Sequence, residues 1–139
     1  MLARARTRQQ YDELIEADIV DYLQSSVDRH DLIVSSDTLN YFGDLQEIFD
    51  AASGALVSGG VFVFTLEMHY KHSAGTTAEE EPDFHLNVHG RYSHSIGYVN
   101  SVMSRAGLVV LADEQVVLRM ESGNPVDGLV FSVEKPGSR

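Results

Sequence analysis

Side chains able to move protons or bind metals are numerous in this chain but scattered. It carries six histidines, 21 Asp and Glu residues and no cysteine. His69 and His72 could share an ion only on a helix that aims them together, and the surrounding Gly75, Thr76 and Thr77 favour none. His85 and His89 alternate with Phe84, Leu86 and Val88 in an extended pattern that separates them by about 13 Å, too far for one ion. No metal site is therefore expected. Two potential bases remain, Glu67 at the end of an apolar run and His94 between two serines. Either type can take a proton from an oxygen or nitrogen acceptor. Asp18 and Asp37 sit in short polar stretches, where a carboxylate either caps a local turn or faces a ligand.

The elements that must position these groups are organised around residues 31–67. Residues 32–35 and 61–66 are apolar runs rich in Val, Ile and Phe without clean alternation, which predicts strands covered on both faces of a parallel sheet. Between them Leu45, Ile48, Phe49, Ala52 and Leu56 recur at helical spacing. Asp44 is placed to cap that helix, with Glu47 three residues on as in a capping box. Gly59 and Gly60 supply its stop. The unit reads strand–helix–strand, with a right-handed crossover.

Ahead of this unit, residues 1–10 predict a short helix rich in Ala and Arg. Residues 11–17 carry a weak strand signal centred on Leu14 and Ile15. Asp18 either closes that strand or caps a short helix through Ile19, Val20, Tyr22 and Leu23. Behind the unit, residues 68–82 form a long irregular loop with an acidic run at 79–81, a length typical of functional or mobile segments. A brief strand follows at Phe84, Leu86 and Val88. Ser93 or Ser95 caps a helix bearing Ile96, Val99, Met103 and Ala106, which Gly107 ends. Residues 108–111 and 116–120 read as one long bent strand or two short ones. A turn at Gly123, Asn124 and Pro125 then leads into a closing antiparallel strand at 129–133.

Composition narrows the function classes. A chain of 139 residues, 43% hydrophobic and 22% charged, is expected to form one globular domain over residues 1–139. No apolar run reaches the roughly 20 residues that cross a bilayer, so no membrane partner is expected. A formal net charge of −11 argues against nucleic acid, which is bound through clustered Lys and Arg. Only Arg4, Arg6 and Arg8 cluster, and they read as a solvated helix face. The absence of cysteine fits a cytoplasmic protein.

Three segments carry a family resemblance. VSSDTLNYFGDLQEIFDAASGALVSGGVFVFTLE (34–67), GRYSHS (90–95) and GNPVDGLVFSVEKP (123–136) resemble the second half of class I S-adenosylmethionine (SAM)-dependent methyltransferases. The resemblance is closest to predicted methyltransferases that often carry TPR repeats. It implies an α/β fold, a truncated Rossmann-like three-layer sheet, mixed parallel with an antiparallel C-terminal hairpin and with the first two strands missing. The cofactor it implies is SAM. Asp18 matches the position beside the adenine, and Ser36, Asp37 and Thr38 match the loop beside the methionine moiety. Tyr41, Glu67, Tyr92 and His94 fall on the acceptor side, where a small molecule or protein would receive the methyl group. Each also has a purely local use: the aspartates cap turns, the tyrosines pack with their hydroxyls at the rim, and His94 makes a hydrogen bond at a helix start.

The family's glycine-rich cofactor loop is absent from this sequence, as is the acidic residue that ends its second strand. The expectation is a SAM-dependent methyltransferase-like domain with an incomplete cofactor site, and weak or no activity and weak SAM binding for this chain. The alternative is a non-catalytic self-associating interaction module or gene remnant. Without its first-strand neighbour, the strand at 32–35 would expose unpaired backbone. A homodimer through that strand edge or through swapped elements is therefore expected.

Overall fold

The computed structural model describes residues 2–68 and 82–137. Two short helices, α1 (Leu2–Arg8) and α2 (Ile19–Ser25), precede strand β1 (His30–Ser35). A 3-10 turn (Leu39–Tyr41) leads into helix α3 (Gln46–Ala55) and the long strand β2 (Leu56–Glu67). The small strands β3 (Phe84–Leu86) and β4 (Tyr92–His94) come next, followed by helix α4 (Ile96–Arg105) and the hairpin β5 (Val109–Glu121) and β6 (Asn124–Glu134). The main sheet has the order β1-β2-β6-β5, with β1 parallel to β2 and the other pairs antiparallel. β3 and β4 form a separate antiparallel pair, joined to the end of β2 by a bridge between Met68 and His94.

The core lies on one face of this sheet. Phe62 and Phe64 of β2 and Phe131 and Val133 of β6 point into it, with Ile48, Phe49 and Ala52 of α3 and Val99, Val102 and Met103 of α4. Phe49 meets Phe62 edge-on at 5.8 Å, and Phe64 stacks on Phe131 at 5.2 Å, spacings favourable for aromatic pairs. The alternate residues of these strands and of β1, where Ile33 packs on the core, face the other way. Leu32 and Val34 there are 57% and 64% exposed. The sequence pattern predicts strands covered on both faces. Among the described residues the helices that pack on the sheet, α3 and α4, cover one.

Local chemistry sets most boundaries. Ser95 caps α4 by accepting the Tyr98 N–H at 3.2 Å, and Gly107, at φ +76°, supplies the left-handed turn after it. The β5–β6 hairpin turns on Ser122 and Gly123, both at positive φ, the geometry of a type I′ turn. Asn124 and Pro125, expected in the turn, are already in β6. β5 is one strand with register shifts at Val110/Ala112 and Val117/Arg119.

Three further expectations are corrected. Gly59 and Gly60 do not stop α3, which ends at Ala55 and passes directly into β2. They lie within β2, where Gly59 (φ +83°) donates to the Lys135 carbonyl and the pairing with β1 slips between His30 and Leu32. Glycine is needed there for backbone shape, as in a β-bulge. The capping box of α3 is not formed: Leu45 occupies the N-cap, and Asp44 instead accepts the Gln46 N–H at 2.9 Å. Residues 11–17 form no strand. Their apolar centre is only two residues long, and a cavity of about 570 Å³, lined by Ile15, Ile19, Leu23, Ile33 and Ser35 among others, separates them from β1. β1 therefore stands at the edge of the sheet.

Candidate functional site

Five charged side chains from four separate segments meet at the C-terminal ends of β1 and β2, the end of an open α/β sheet where ligands bind. Glu67 closes β2 with its side chain 5% exposed, and its Oε1 accepts from Arg91 Nε at 2.8 Å and from Arg119 Nη2. Arg119, on β5, also donates from Nη1 to Asp37 Oδ1 at 2.6 Å and from Nε to Glu121 Oε1 at 3.3 Å. Arg91, just before β4, donates from Nη2 to the same Glu121 oxygen. The charges run Asp37, Arg119, Glu67, Arg91, Glu121 in strict alternation of sign.

The alternation shifts two of these groups, Arg91 and Glu121. Arg91 loses some of its charge preference to desolvation, but its bonds to Glu67 and then Glu121 outweigh this and raise its pKa above the usual arginine value. Desolvation likewise pushes Glu121 up, and the hydrogen bonds from Arg91 and Arg119 with the Arg91 charge outweigh it, so its carboxyl lies below the usual range.

Asp37 is held at its backbone as well as its side chain. It adopts φ +53°, a left-handed conformation that aspartate tolerates better than most residues, and its N–H donates to Thr65 Oγ1 at 3.0 Å. Thr38 Oγ1 donates to the Ser36 carbonyl at 3.1 Å. Ser36 and Thr38 line the cavity beside β1 together with Ala17 and Ile19, the neighbours of Asp18. Asp18 itself caps α2, its Oδ1 accepting the Asp21 N–H at 3.0 Å.

The acceptor-side candidates are spread wider. Tyr41 is 63% exposed. Tyr92 is half-buried, its ring edge-on to Phe84. His94 is fully buried, and its Nε2–H is directed at the carbonyls of Phe42 and Gly43 at 2.9 and 3.1 Å, while the ring stacks on Tyr98. Both partners being acceptors, Nε2 carries the proton. The Tyr98 hydroxyl accepts the Leu45 N–H at 3.0 Å and donates to Asp44 at 3.3 Å. Burial raises its pKa, the Leu45 bond opposes this, and the Asp44 charge adds to the rise.

Thus the structure brings Asp37 and Glu67 together through Arg119, and gathers Ser36 and Thr38 with the flanks of Asp18 around one cavity. Tyr41 and His94 belong to neither group. Arg91, Arg119 and Glu121 are the members that sequence reasoning missed. The available signal was a lone arginine between Leu118 and Met120 in an apolar strand, a position that requires a carboxylate partner. Among the described residues no group of three or more His, Asp or Glu side chains is arranged to hold a metal. His69, His72 and the acidic run 79–81 lie outside the described residues. No described helix is long and apolar enough to cross a membrane.

No protein-family model matches the sequence, and no curated protein matches it. Solved structures do match the fold. A SAM-dependent methyltransferase from Mesorhizobium loti is 24% identical with a TM-score of 0.65, covering 96% of this chain and 75% of its own. One from Clostridium acetobutylicum is 19% identical with a TM-score of 0.67, covering 98% and 70%. The N-methyltransferase NodS from Bradyrhizobium japonicum, in complex with S-adenosyl-L-homocysteine, is 20% identical with a TM-score of 0.65, covering 96% and 60%. The chain therefore has the mixed, Rossmann-like fold of SAM-dependent methyltransferases and spans 60–75% of the length of these three proteins.

Proposed function

We propose that this chain is the trailing part of a SAM-dependent methyltransferase domain, carrying one wall of the cofactor cleft and the acceptor side. The observation that carries this reading is the cavity of about 570 Å³ at the C-terminal end of β1, with Ser36 and Thr38 on its wall and the free edge of β1 beside it. The residues present fit part of a SAM site. Ser36 and Thr38 offer hydroxyls and the flanks of Asp18 supply apolar surface, while the Asp37 carboxylate, bound to Arg119, lies next to the cavity lining in sequence but is not part of it. When bound, SAM supplies an electrophilic methyl group. The glycine-lined backbone that the resemblance calls for beside the cofactor is not part of this sequence, so we expect the chain to bind SAM weakly and to turn over slowly or not at all.

The chain's own part in transfer is positioning. Methyl transfer is an in-line displacement, and holding donor and acceptor in line supplies much of the rate. Arg119 holds the Asp37 loop and the Glu67 floor in one geometry. We assign proton acceptance from an oxygen or nitrogen acceptor to Glu67, and the outer rim of that side to Tyr41 and Tyr92, as the family resemblance implies. The acceptor class is a small molecule or a protein side chain, and we place the reaction in the cytoplasm, in keeping with a cysteine-free chain.

A second reading is a self-associating module without catalysis. It is favoured by the unpaired edge of β1 and the exposed Leu32 and Val34. Titrating SAM while following thermal unfolding separates the two. A ligand at a hundredfold over its dissociation constant adds about 2.7 kcal/mol. With an unfolding entropy of about 2.1 cal/mol/K per residue over 139 residues, this raises Tm by about 9 °C. No shift at millimolar SAM would eliminate the enzyme reading for this chain.

A further inference from the structure

We propose that Glu13 is the carboxylate that makes the cavity beside β1 selective for a positively charged ligand, a role for which the sequence pointed to Asp37. The inference deepens the methyltransferase reading and rests on it for naming that ligand as SAM. Asp37 is not free for the task. Its side chain is paired with Arg119 at 2.6 Å and is off the cavity wall, although Ser36 and Thr38 on either side of it are on the wall. Glu13 lines the cavity, and its carboxylate makes no hydrogen bond or ion pair among the described residues.

The backbone aims Glu13 inward. Residues 11–17 form no strand but alternate like one: Glu13, Ile15 and Ala17 line this cavity, while Asp12 and Leu14 line a separate hollow beside α1. Asp12, Glu16 and Asp18 are off the wall, so Glu13 is the one charged side chain among the described residues that line it. The rest of the lining is apolar, or carries hydroxyls at Tyr22, Ser35, Ser36 and Thr38. A volume of about 570 Å³ suits a small molecule, and one carboxylate among apolar walls favours a cation with an apolar body over its neutral analogue. The formal net charge of −11 draws cations towards the whole surface, so removal of this one carboxylate is what separates local from general attraction. SAM and its demethylated product S-adenosylhomocysteine form such a pair, differing in the methyl group and the positive charge on sulfur.

Calorimetric titration of each ligand into the full chain reads the selectivity as a ratio of affinities. Comparing that ratio between wild type and variant cancels the steric effect of the methyl group. Glu13→Gln should lower the ratio of SAM to S-adenosylhomocysteine affinity about two- to fivefold, the range for an ion pair open to water. Binding of S-adenosylhomocysteine and the circular dichroism should not change, since Glu13 is exposed. Raising salt from about 50 to 500 mM should bring the wild-type ratio towards that of the variant. Glu16→Gln, at an exposed carboxylate off the wall, should leave the ratio as it is. A ratio unchanged in Glu13→Gln while both ligands bind overturns this inference and leaves the methyltransferase reading standing. A ratio lost with Asp37→Asn but kept with Glu13→Gln overturns it in favour of Asp37. Binding of neither ligand at millimolar concentration removes the cofactor reading and this inference with it.

Discussion

Replacing Arg119 by methionine tests whether the charge cluster is a structural unit or a set of surface pairs. Arg119 is 24% exposed and holds Glu67, which is 5% exposed, along with Asp37, which is 52% exposed. The bond to Glu67 is charge-assisted and largely sheltered, a class worth about 1.5–3 kcal/mol. The bond to Asp37 is half in water and adds at most about 1 kcal/mol. Arg119→Met should therefore cost about 2–3 kcal/mol, which for 139 residues lowers Tm by about 7–10 °C.

Charge count predicts that the partner substitution is milder. Losing Arg119 leaves three carboxylates around Arg91, whereas Glu67→Gln leaves two arginines facing Asp37 and Glu121 and keeps an accepting oxygen, so its cost should be nearer 1 kcal/mol. The acid limb sharpens the test. Glu121 has a folded-state pKa below its ordinary value of 4.5, so its contribution is present above pH 4.5 and is lost as pH falls through the lower folded value. Arg119→Met should flatten that acid-side loss. Thermal unfolding by circular dichroism between pH 3 and 7 measures both effects. An Arg119→Met melt within 2 °C of wild type, or a Glu67→Gln variant at least as damaged, would refute the cluster as a unit.

Other substitutions check the backbone and the buried hydroxyl. A Cβ at Gly128 would strike the Leu66 carbonyl oxygen and the Leu118 side chain, whereas one at Gly54 in α3 meets nothing within 4 Å. Gly128→Ala should destabilise by several kcal/mol by forcing β2 and β6 apart, while Gly54→Ala should stabilise by about 0.5–1 kcal/mol, both read from urea midpoints. Ser122, at φ +50° in a type I′ turn, should accept Asn with a gain of a few tenths of a kcal/mol, read the same way. Tyr98 has a raised pKa, so the folded state favours its neutral form, and that contribution persists below pH 10 and is lost as pH rises through the higher folded value. Spectrophotometric titration should show one late-ionising tyrosine that Tyr98→Phe abolishes.

The parts of the fold that could be read in advance are those where a residue's neighbours in sequence are also its neighbours in space. The α3 stripe of Ile48, Phe49 and Ala52, the Ser95 cap and Gly107 are all local signals, and all are seen in the structure. Gly59 and Gly60 misled because the same permissive backbone serves a helix end and a strand bulge. Only the long-range bond to Lys135 decides between them. Asp44 misled in a similar way, since its carboxylate serves Gln46 and also Tyr98, which is 54 residues away. Residues 11–17 were the weakest case: a strand is defined by its partner, and sequence alone does not say whether one is within reach.

The candidate site divides along the same line. The loop at Ser36, Asp37 and Thr38 was legible because its motif is contiguous, but the cation that holds Asp37 lies 82 residues on, across the sheet. Arg119 reaches it because β6 lies between β2 and β5, which carries the β5–β6 hairpin past the end of β2 to the loop after β1. Sheet order, rather than any local pattern, therefore creates the cluster. The same order accounts for the chain's exposed surfaces. With β2 and β6 in the middle, the aromatic core is complete on one face, while the edge of β1 and the valines opposite the core are left open. A site built by sheet order and a surface left open by it are two results of one topology.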